Sequence, residues 1–273
     1  MLSESIERLK RDVRAAAVNL SEQEARYLVD AYYAIQEHRI EAQGQVRALN
    51  ESEEPHAVLS WLFDQHYTIE REIAKALDTY SDSQEPGRWA RSIIGIGPVL
   101  SAGLLAHIDI TKAPTVGHIW RFAGLDPTVQ WEKKTKRPWN ASLKVLCWKI
   151  GESFVKVSGH EEDVYGHIYA ARKLQEQERN DAGQFAEQAA AALIGKRFRK
   201  DTKAFEFYSQ GLLPPGHIHA RAKRYAVKLF LAHYHHVAYE CAFDEPPPKP
   251  YVIEHLGHAH YLAPPNWPKT KAV

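Results

Sequence analysis

Apolar residues recur at helical spacing along the whole chain, and no segment alternates apolar and polar residues as a half-buried strand does. In residues 28–49 the apolar positions follow steps of four and three, interrupted by one charged residue, Arg39. A capping-box pattern, Ser21 with Glu24 three positions later, precedes this run, and a second run of the same spacing covers residues 59–76. Two such runs joined by a short polar turn predict an antiparallel coiled helical hairpin or half of a dimer interface. A plain layer of a helical bundle is the alternative.

Charge divides the 273 residues into an acidic and a basic part. Residues 1–85 contain 9 Lys and Arg against 17 Asp and Glu, a net charge of −8, and residues 86–273 contain 26 against 17, a net charge of +9. The chain total of +1 conceals this split. We therefore expect an acidic helical hairpin at residues 1–85, a basic helical domain at 86–243 that attracts nucleic acid, and a proline-rich tail at 244–273.

The composition, with 44% hydrophobic and 25% charged residues, is that of an ordinary globular protein. No apolar run is long enough to span a membrane, and the polar start of the chain has no signal-peptide core. Cys147 and Cys241 lie in apolar helical contexts without a metal-like spacing. These features predict a cytoplasmic protein with reduced thiols and no membrane partner.

A glycine-rich turn leads into an apolar helix within residues 94–108. Two glycines flanking one aliphatic residue permit a tight bend, and a proline suits the first helical position that follows. The backbone N–H groups and the dipole at the start of that helix form an anion site. With a preceding helix at 88–93, this predicts a helix-hairpin-helix, a module that holds DNA by its phosphates. An ordinary corner between two packed helices is the alternative. The predicted contacts are Gly95, Ile96, Gly97, Pro98 and Ser101.

A basic loop between two tryptophans is the second candidate DNA contact. Clustered cations attract phosphates at long range, and neighbouring indoles stack on bases or pack the loop down. A solvated loop with core tryptophans is the alternative. The predicted contacts here are Trp131, Lys133, Lys134, Lys136 and Arg137, with Lys144 on the next predicted helix. A further basic turn adds Lys196, Arg197, Arg199 and Lys200.

Residues for catalysis or metal binding are sparse. His255, His258 and His260 have a spacing that suits a transition metal, but no cysteine cluster accompanies them, and ordinary surface histidines are the alternative. Ser142 is the nearest serine to a nucleophile position, yet it also suits the first turn of a helix and no base is identifiable. We expect no metal, no cofactor and no catalytic residue.

The order of these segments resembles the C-terminal domain of the bridge-RNA-guided insertion-sequence transposases and the Piv-type DNA invertases. The resemblance begins with residues 94–108 and continues through Arg121-Phe122-Ala123-Gly124-Leu125-Asp126-Pro127. It extends to a helix around Lys144, a tyrosine near Tyr165 and a late basic helix at 221–224. The acidic hairpin stands where that family carries its coiled-coil segment. The resemblance implies DNA as a partner and an origin in a mobile element or phage.

Two departures from that family limit what the resemblance implies. Its members begin with a ribonuclease-H-like domain that supplies acidic metal ligands, and nothing in residues 1–85 could form its βαβ core. They also use a serine, typically in a Ser-Gly pair after the Gly-Leu-x-Pro segment, whereas residues 128–134 here read Thr-Val-Gln-Trp-Glu-Lys-Lys. The resemblance therefore implies DNA binding and gives little support to recombination chemistry.

Taken together, the sequence predicts an all-α protein with an N-terminal coiled helical hairpin followed by a helical domain that contains a helix-hairpin-helix. We expect it to hold duplex or branched DNA, or structured RNA, through backbone phosphates without strand cleavage. The N-terminal helices are expected to form a homodimer or bind a protein partner. Two alternatives stay open: a serine-dependent transposase or recombinase subunit that needs a partner chain, and a structural scaffold without nucleic-acid binding.

Overall fold

The structure, a computed structural model, describes residues 8–52, 56–195, 197–248 and 262–267. Throughout these ranges the regular structure is helical and no strand is present, which confirms the predicted all-α class. None of the helices in them is both long and apolar enough to cross a membrane. The described ranges hold eleven α-helices: α1 (Arg11–Ala15), α2 (Glu22–Glu51), α3 (Ala57–Ser83), α4 (Glu85–Arg91), α5 (Pro98–His107), α6 (Val116–Phe122), α7 (Ala141–Val157), α8 (Tyr165–Asp181), α9 (Ala186–Gly195), α10 (Lys203–Ser209) and α11 (Pro215–Phe243).

The chain divides into two compact units. Of the described residues, unit 1 contains those up to Ser92, Ile96–Lys112 and Glu240–Asp244, and unit 2 contains the others. Helices α4 and α5 therefore belong to the same unit as α2 and α3. The boundary between the acidic and the basic part of the sequence lies between residues 85 and 86, at the start of α4. The functional division predicted at residues 85 and 86 stays a prediction.

Helices α2 and α3 form the expected antiparallel hairpin in unit 1. Helix α2 begins with a capping box, in which the Ser21 side chain accepts from the Glu24 N–H and the Glu24 carboxylate accepts from the Ser21 N–H. Further along, the rings of His38 and His66 lie 5.8 Å apart. Nearer the start of α2, Val29 shares a buried cluster with Leu77 and Tyr80, which lie late in α3. Because early positions of α2 meet late positions of α3, and later positions meet earlier ones, the two helices run in opposite directions.

The one charged residue in the first apolar run has a partner on the facing helix. Arg39 forms an ion pair with Glu70, and Gln36 donates to the same carboxylate at 2.9 Å. Burial alone would raise the pKa of Glu70, but these hydrogen bonds outweigh it and hold that pKa below its usual value. A buried polar pair of this kind fixes which residues of two apolar helices face each other.

The core of unit 1 lies where α5 packs on the hairpin. Leu77 and Tyr80 of α3 belong to one buried cluster with Ala102 and Ala106 of α5, and all four are almost fully buried. The small side chains of α5 allow its backbone to come close to the larger residues of α3. The core therefore fixes the position of α5 within unit 1.

The core of unit 2 is an aromatic cluster between α7, α8 and α11. Phe154 stacks on Tyr165 at 4.9 Å, and Phe230 meets both rings edge-on. Gly151 lets α7 approach α11, since a Cβ atom there would lie 3.3 Å from Val227. This packing sets the outward face of α7, which carries part of the candidate site.

Candidate nucleic-acid interface

Helices α4 and α5 pack closely at Gly87 and Ser101, where there is no room for larger side chains. The Ser101 hydroxyl donates to the Gly87 carbonyl at 2.9 Å and is fully buried. A Cβ atom on Gly87 would lie 2.8 Å from the Leu105 side chain of α5 and 2.1 Å from the Ser81 carbonyl oxygen of α3. Ser101 therefore holds α4 and α5 together and does not reach the surface.

Gly95 is required by the backbone of the turn between α4 and α5. Its φ of +91° lies in the left-handed region, which favours glycine. A Cβ atom there would also lie 3.1 Å from both the Ser153 hydroxyl and the Val157 side chain, and Ser153 donates to the Gly95 carbonyl at 2.5 Å. The next residue, Ile96, is buried. These two residues shape the turn from the inside.

Gly97 forms the outward part of the same turn. It is the N-cap of α5 with φ −89° and ψ 179°, an extended conformation open to any residue, and a Cβ atom there would meet nothing within 4 Å. Pro98 occupies the first helical position, as predicted. The N-terminus of α5 therefore meets solvent at Gly97, with the positive end of the helix dipole behind it.

The basic loop, residues 131–139, is held in place by its tryptophans. The Trp131 indole donates to the Thr135 carbonyl at 3.0 Å and meets the Trp139 ring edge-on at 6.5 Å. Trp139 lies against Gly124, where a Cβ atom would be 2.9 Å from the indole. The Asn140 side chain then caps α7 by accepting from the Leu143 N–H. The indoles therefore pack the loop down, and Trp131 stays 40% exposed.

The cations of the basic loop point to solvent. Lys133, Lys134, Lys136 and Arg137 are all exposed, and Lys134 takes a positive φ of 71° at the tip. Arg137 lies over the Trp131 ring at 5.4 Å. A charge cluster on an anchored loop attracts phosphates with less loss of conformational entropy than a mobile one.

The positive charge continues from the basic loop onto α7 and α11. The Lys144 ammonium lies 4.0 Å from the centre of the Trp139 ring. Burial, and then the charges of Arg137 and Arg224, lower the pKa of Lys144. A lysine whose ammonium is disfavoured by its neighbours gains from an arriving anion. Arg224 belongs to the late basic helix of the resemblance but is not among the predicted contacts, because it lies 80 positions further along the chain than Lys144.

The second basic turn carries less free charge. Arg197, Arg199 and Lys200 are exposed, but Arg199 forms a two-pronged ion pair with Asp201 at 2.6 and 3.1 Å. Lys196 lies outside the described residues. This turn therefore offers fewer uncompensated cations than the basic loop.

The candidate nucleophile lies at the start of α7, two positions before Lys144. Ser142 is exposed in the first turn of α7. Within the described ranges, no group of three or more His, Cys, Asp or Glu is placed to hold a metal ion. Buried His233 donates to the Leu262 carbonyl, and burial lowers its pKa to about 4. The predicted ligands His255, His258 and His260 lie outside the described residues, so that possibility stays a prediction.

Part of this region matches the model of a known protein family. Residues 88–137 match the model of the Transposase IS116/IS110/IS902 family. The matched segment begins in α4, contains the turn and α5, and ends in the basic loop, so it supports the resemblance to transposases and indicates a transposase-related function. It covers less than a fifth of the 273 residues. No curated protein and no solved structure matches the chain.

Proposed function

We propose that this protein binds DNA through backbone phosphates and does not itself cut strands. The observation that carries the proposal is the position of the family match, which contains the turn before α5 and the four cations of the basic loop. The two features have the physical properties that phosphate binding needs, a helix N-terminus open to solvent and a cluster of uncompensated cations. Duplex and branched DNA, or structured RNA, are the substrates that this chemistry accepts.

The contact in unit 1 is the N-terminus of α5. The space beside Gly97 is open, so a phosphate oxygen can approach the backbone N–H groups at the start of α5, except at Pro98, which has none. Ile96 and Ser101 are buried and support this contact from within. The predicted contact set at the turn therefore narrows to Gly97, Pro98 and the first turn of α5.

The contact in unit 2 is the basic loop with the start of α7. Its exposed cations are fixed by the indoles of Trp131 and Trp139, and Lys144 extends them onto the helix. Phosphate contacts of this kind position a protein on DNA and carry little sequence information. We expect modest sequence specificity and an affinity that falls steeply with salt.

Strand cleavage is the alternative activity, and it requires a nucleophile from this chain. In that alternative a serine attacks DNA in a complex with a second protein, and exposed Ser142 is the candidate. Denaturing gels of the protein incubated with labelled DNA, alone and with cell extract, test for a covalent adduct. We expect none. An adduct that forms with the wild type and is lost in Ser142→Ala would contradict the proposal.

We also propose that the N-terminal hairpin of α2 and α3 binds a second copy of itself. Some residues of its two apolar runs are not fully buried, since Ile35 of α2 and Leu62 of α3 are of intermediate exposure. Val58 and Trp61 on α3 are exposed. A second copy of the hairpin would cover these side chains. Light scattering of the full chain measures the mass, and a monomer at every concentration would contradict this assignment.

A cytoplasmic location completes the proposal. Cys147 is buried, and burial raises the pKa of its thiol to about 12. A thiol with so little thiolate at neutral pH reacts slowly with oxidants and disulfides. Cys241, expected to be buried like Cys147, is exposed and lacks this protection, and exposed thiols persist in a reducing compartment.

A matched pair of substitutions at Gly97 tests the contact in unit 1. Asp and Asn have nearly the same shape and both suit the N-cap, so both variants should fold as stably as the wild type. The carboxylate introduced by Gly97→Asp would occupy the place of a phosphate and repel DNA. We therefore expect this variant to bind about tenfold more weakly than Gly97→Asn. Gel-shift titrations with duplex, single-stranded and junction DNA measure this difference. Equal binding by the two variants would remove the turn from the interface.

A further inference from the structure

Trp148 on α7 is exposed in a way that the fold does not explain. Its side chain is 59% exposed, while Trp89 in unit 1 is 1% exposed. Val145, three positions earlier and on the same helix face, is 53% exposed. Large apolar side chains that stand together in solvent mark a contact surface more often than single ones do. Trp148 and Val145 therefore form a candidate contact surface on α7.

The charges around Trp148 indicate what such a contact would be. Lys144 lies one helical turn before it on the same face, and the Lys223 ammonium of α11 lies 5.9 Å from the centre of its ring. The nearby carboxylate, Glu152, is already paired with Lys223. Arg224 follows Lys223 and adds to the positive charge at Lys144. Because Lys223 is paired with Glu152, Lys144 and Arg224 supply the remaining positive charge on this part of unit 2. An exposed indole next to cations has the chemistry of a surface that binds single-stranded nucleic acid.

We propose that Trp148 stacks on an unpaired base, while Lys144 and Arg224 hold the phosphates beside that base. In a continuous duplex both faces of each base are covered by its neighbours, so an indole reaches a base face only at a gap, a junction or a free strand. The inference rests on the proposed DNA binding and goes beyond it, because it assigns DNA with unpaired bases as the preferred ligand. The basic loop then holds the sugar-phosphate backbone on the same unit.

Removing the indole of Trp148 is expected to weaken binding of single-stranded DNA. Base stacking on an aromatic side chain corresponds to a loss of about 5- to 150-fold in affinity on alanine substitution. We expect Trp148→Ala to lose that much affinity for a short thymine strand and less than about twofold for a blunt duplex. Trp148→Phe keeps a ring and is expected to keep most of the single-strand affinity. Leu174→Ala on α8 removes a side chain that is 63% exposed and serves as the matched control.

Fluorescence anisotropy with end-labelled strand and duplex measures both affinities on the full chain, and thermal unfolding verifies that each variant is folded. Single-strand binding that is unchanged in Trp148→Ala would overturn the inference. Equal losses on strand and duplex would also overturn it, because they indicate a phosphate contact or a general change of α7. A changed molecular mass in light scattering with unchanged DNA affinity would assign the face to a protein contact instead. If the wild type binds no DNA of any form, the proposed function itself fails.

Discussion

Replacing the four cations of the basic loop with glutamine is expected to weaken DNA binding about 10²- to 10³-fold near 0.1 M salt. Each phosphate contact releases condensed counterions, so the loss of Lys133, Lys134, Lys136 and Arg137 should also reduce the slope of log affinity against log salt by about 3 to 4. All four side chains are exposed, so the free energy of unfolding should change little. Filter binding or anisotropy at several salt concentrations measures both quantities.

The control for this variant removes the same amount of charge elsewhere. Four exposed arginines of unit 1 are suitable, and their replacement by glutamine lowers the net charge equally: Arg11, Arg14, Arg47 and Arg71. If the basic loop is a contact site, the control variant should keep a salt slope within about one of the wild type. Similar losses in both variants would show that net charge alone attracts DNA, and the loop would lose its assignment.

The substitution Glu176→Gln is expected to lower the free energy of unfolding by about 3–5 kcal/mol. Glu176 of α8 is 1% exposed and is surrounded by three guanidinium groups. Arg221 donates to it at 2.6 Å, Arg172 pairs with it one turn away, and Arg179 lies at 3.5 Å. Without the carboxylate, three clustered cations lose their counter-charge. Urea unfolding measures the loss, and Glu178→Gln on the exposed face of the same helix is the control.

The same carboxylate predicts how stability depends on pH. Burial acts to raise the pKa of Glu176, but the hydrogen bond and charge of Arg221, with those of Arg172, lower it below the ordinary 4.5. A group whose pKa is lower in the folded state stabilises the fold above its unfolded pKa, and this contribution is lost as pH falls through the folded pKa. Wild-type stability should therefore fall more steeply below pH 4.5 than that of Glu176→Gln. Parallel pH profiles would contradict this account of Glu176.

Local patterns in the sequence are sufficient to predict most of the helices and the residue at which α2 begins. The steps of four and three predict the hairpin of α2 and α3, and the Ser21 to Glu24 spacing predicts the cap at the start of α2. Such features depend on residues a few positions apart, so a single sequence displays them directly. Helix α10 has only seven residues and too few apolar positions to show a period. The hairpin and most of the helices are therefore predictable, and α10 is not.

Contacts between distant positions cannot be predicted in this way. Arg39 interrupts an apolar run in the sequence, and only the fold reveals that Glu70 compensates it from the facing helix. Trp148 occupies a helical position that a core residue could also occupy, and its exposure depends on how α7 packs against α11. Partner choice across a long sequence separation is set by tertiary packing, which local spacing does not encode.

The two glycines of the turn illustrate the same limit within a single motif. In the sequence Gly95 and Gly97 look alike, and both are predicted DNA contacts. The structure separates them, because Gly95 has a backbone conformation that favours glycine whereas Gly97 has an ordinary one and an open side. Ile96 and Ser101 are core residues that the apolar character of the segment could equally have indicated. The motif thus predicts the turn, and the structure is needed to distinguish residues that shape the turn from residues that can contact DNA.

The central claim, binding through phosphates, is tested most directly by the salt dependence of wild-type binding to two duplexes of unrelated sequence. The account predicts a linear fall of log affinity with log salt between about 50 and 300 mM, with a slope of about −4 or steeper. Because phosphates carry no sequence information, the two duplexes should give the same slope and affinities within about tenfold. An affinity that is independent of salt, or no binding at the lowest salt concentration, would contradict the claim.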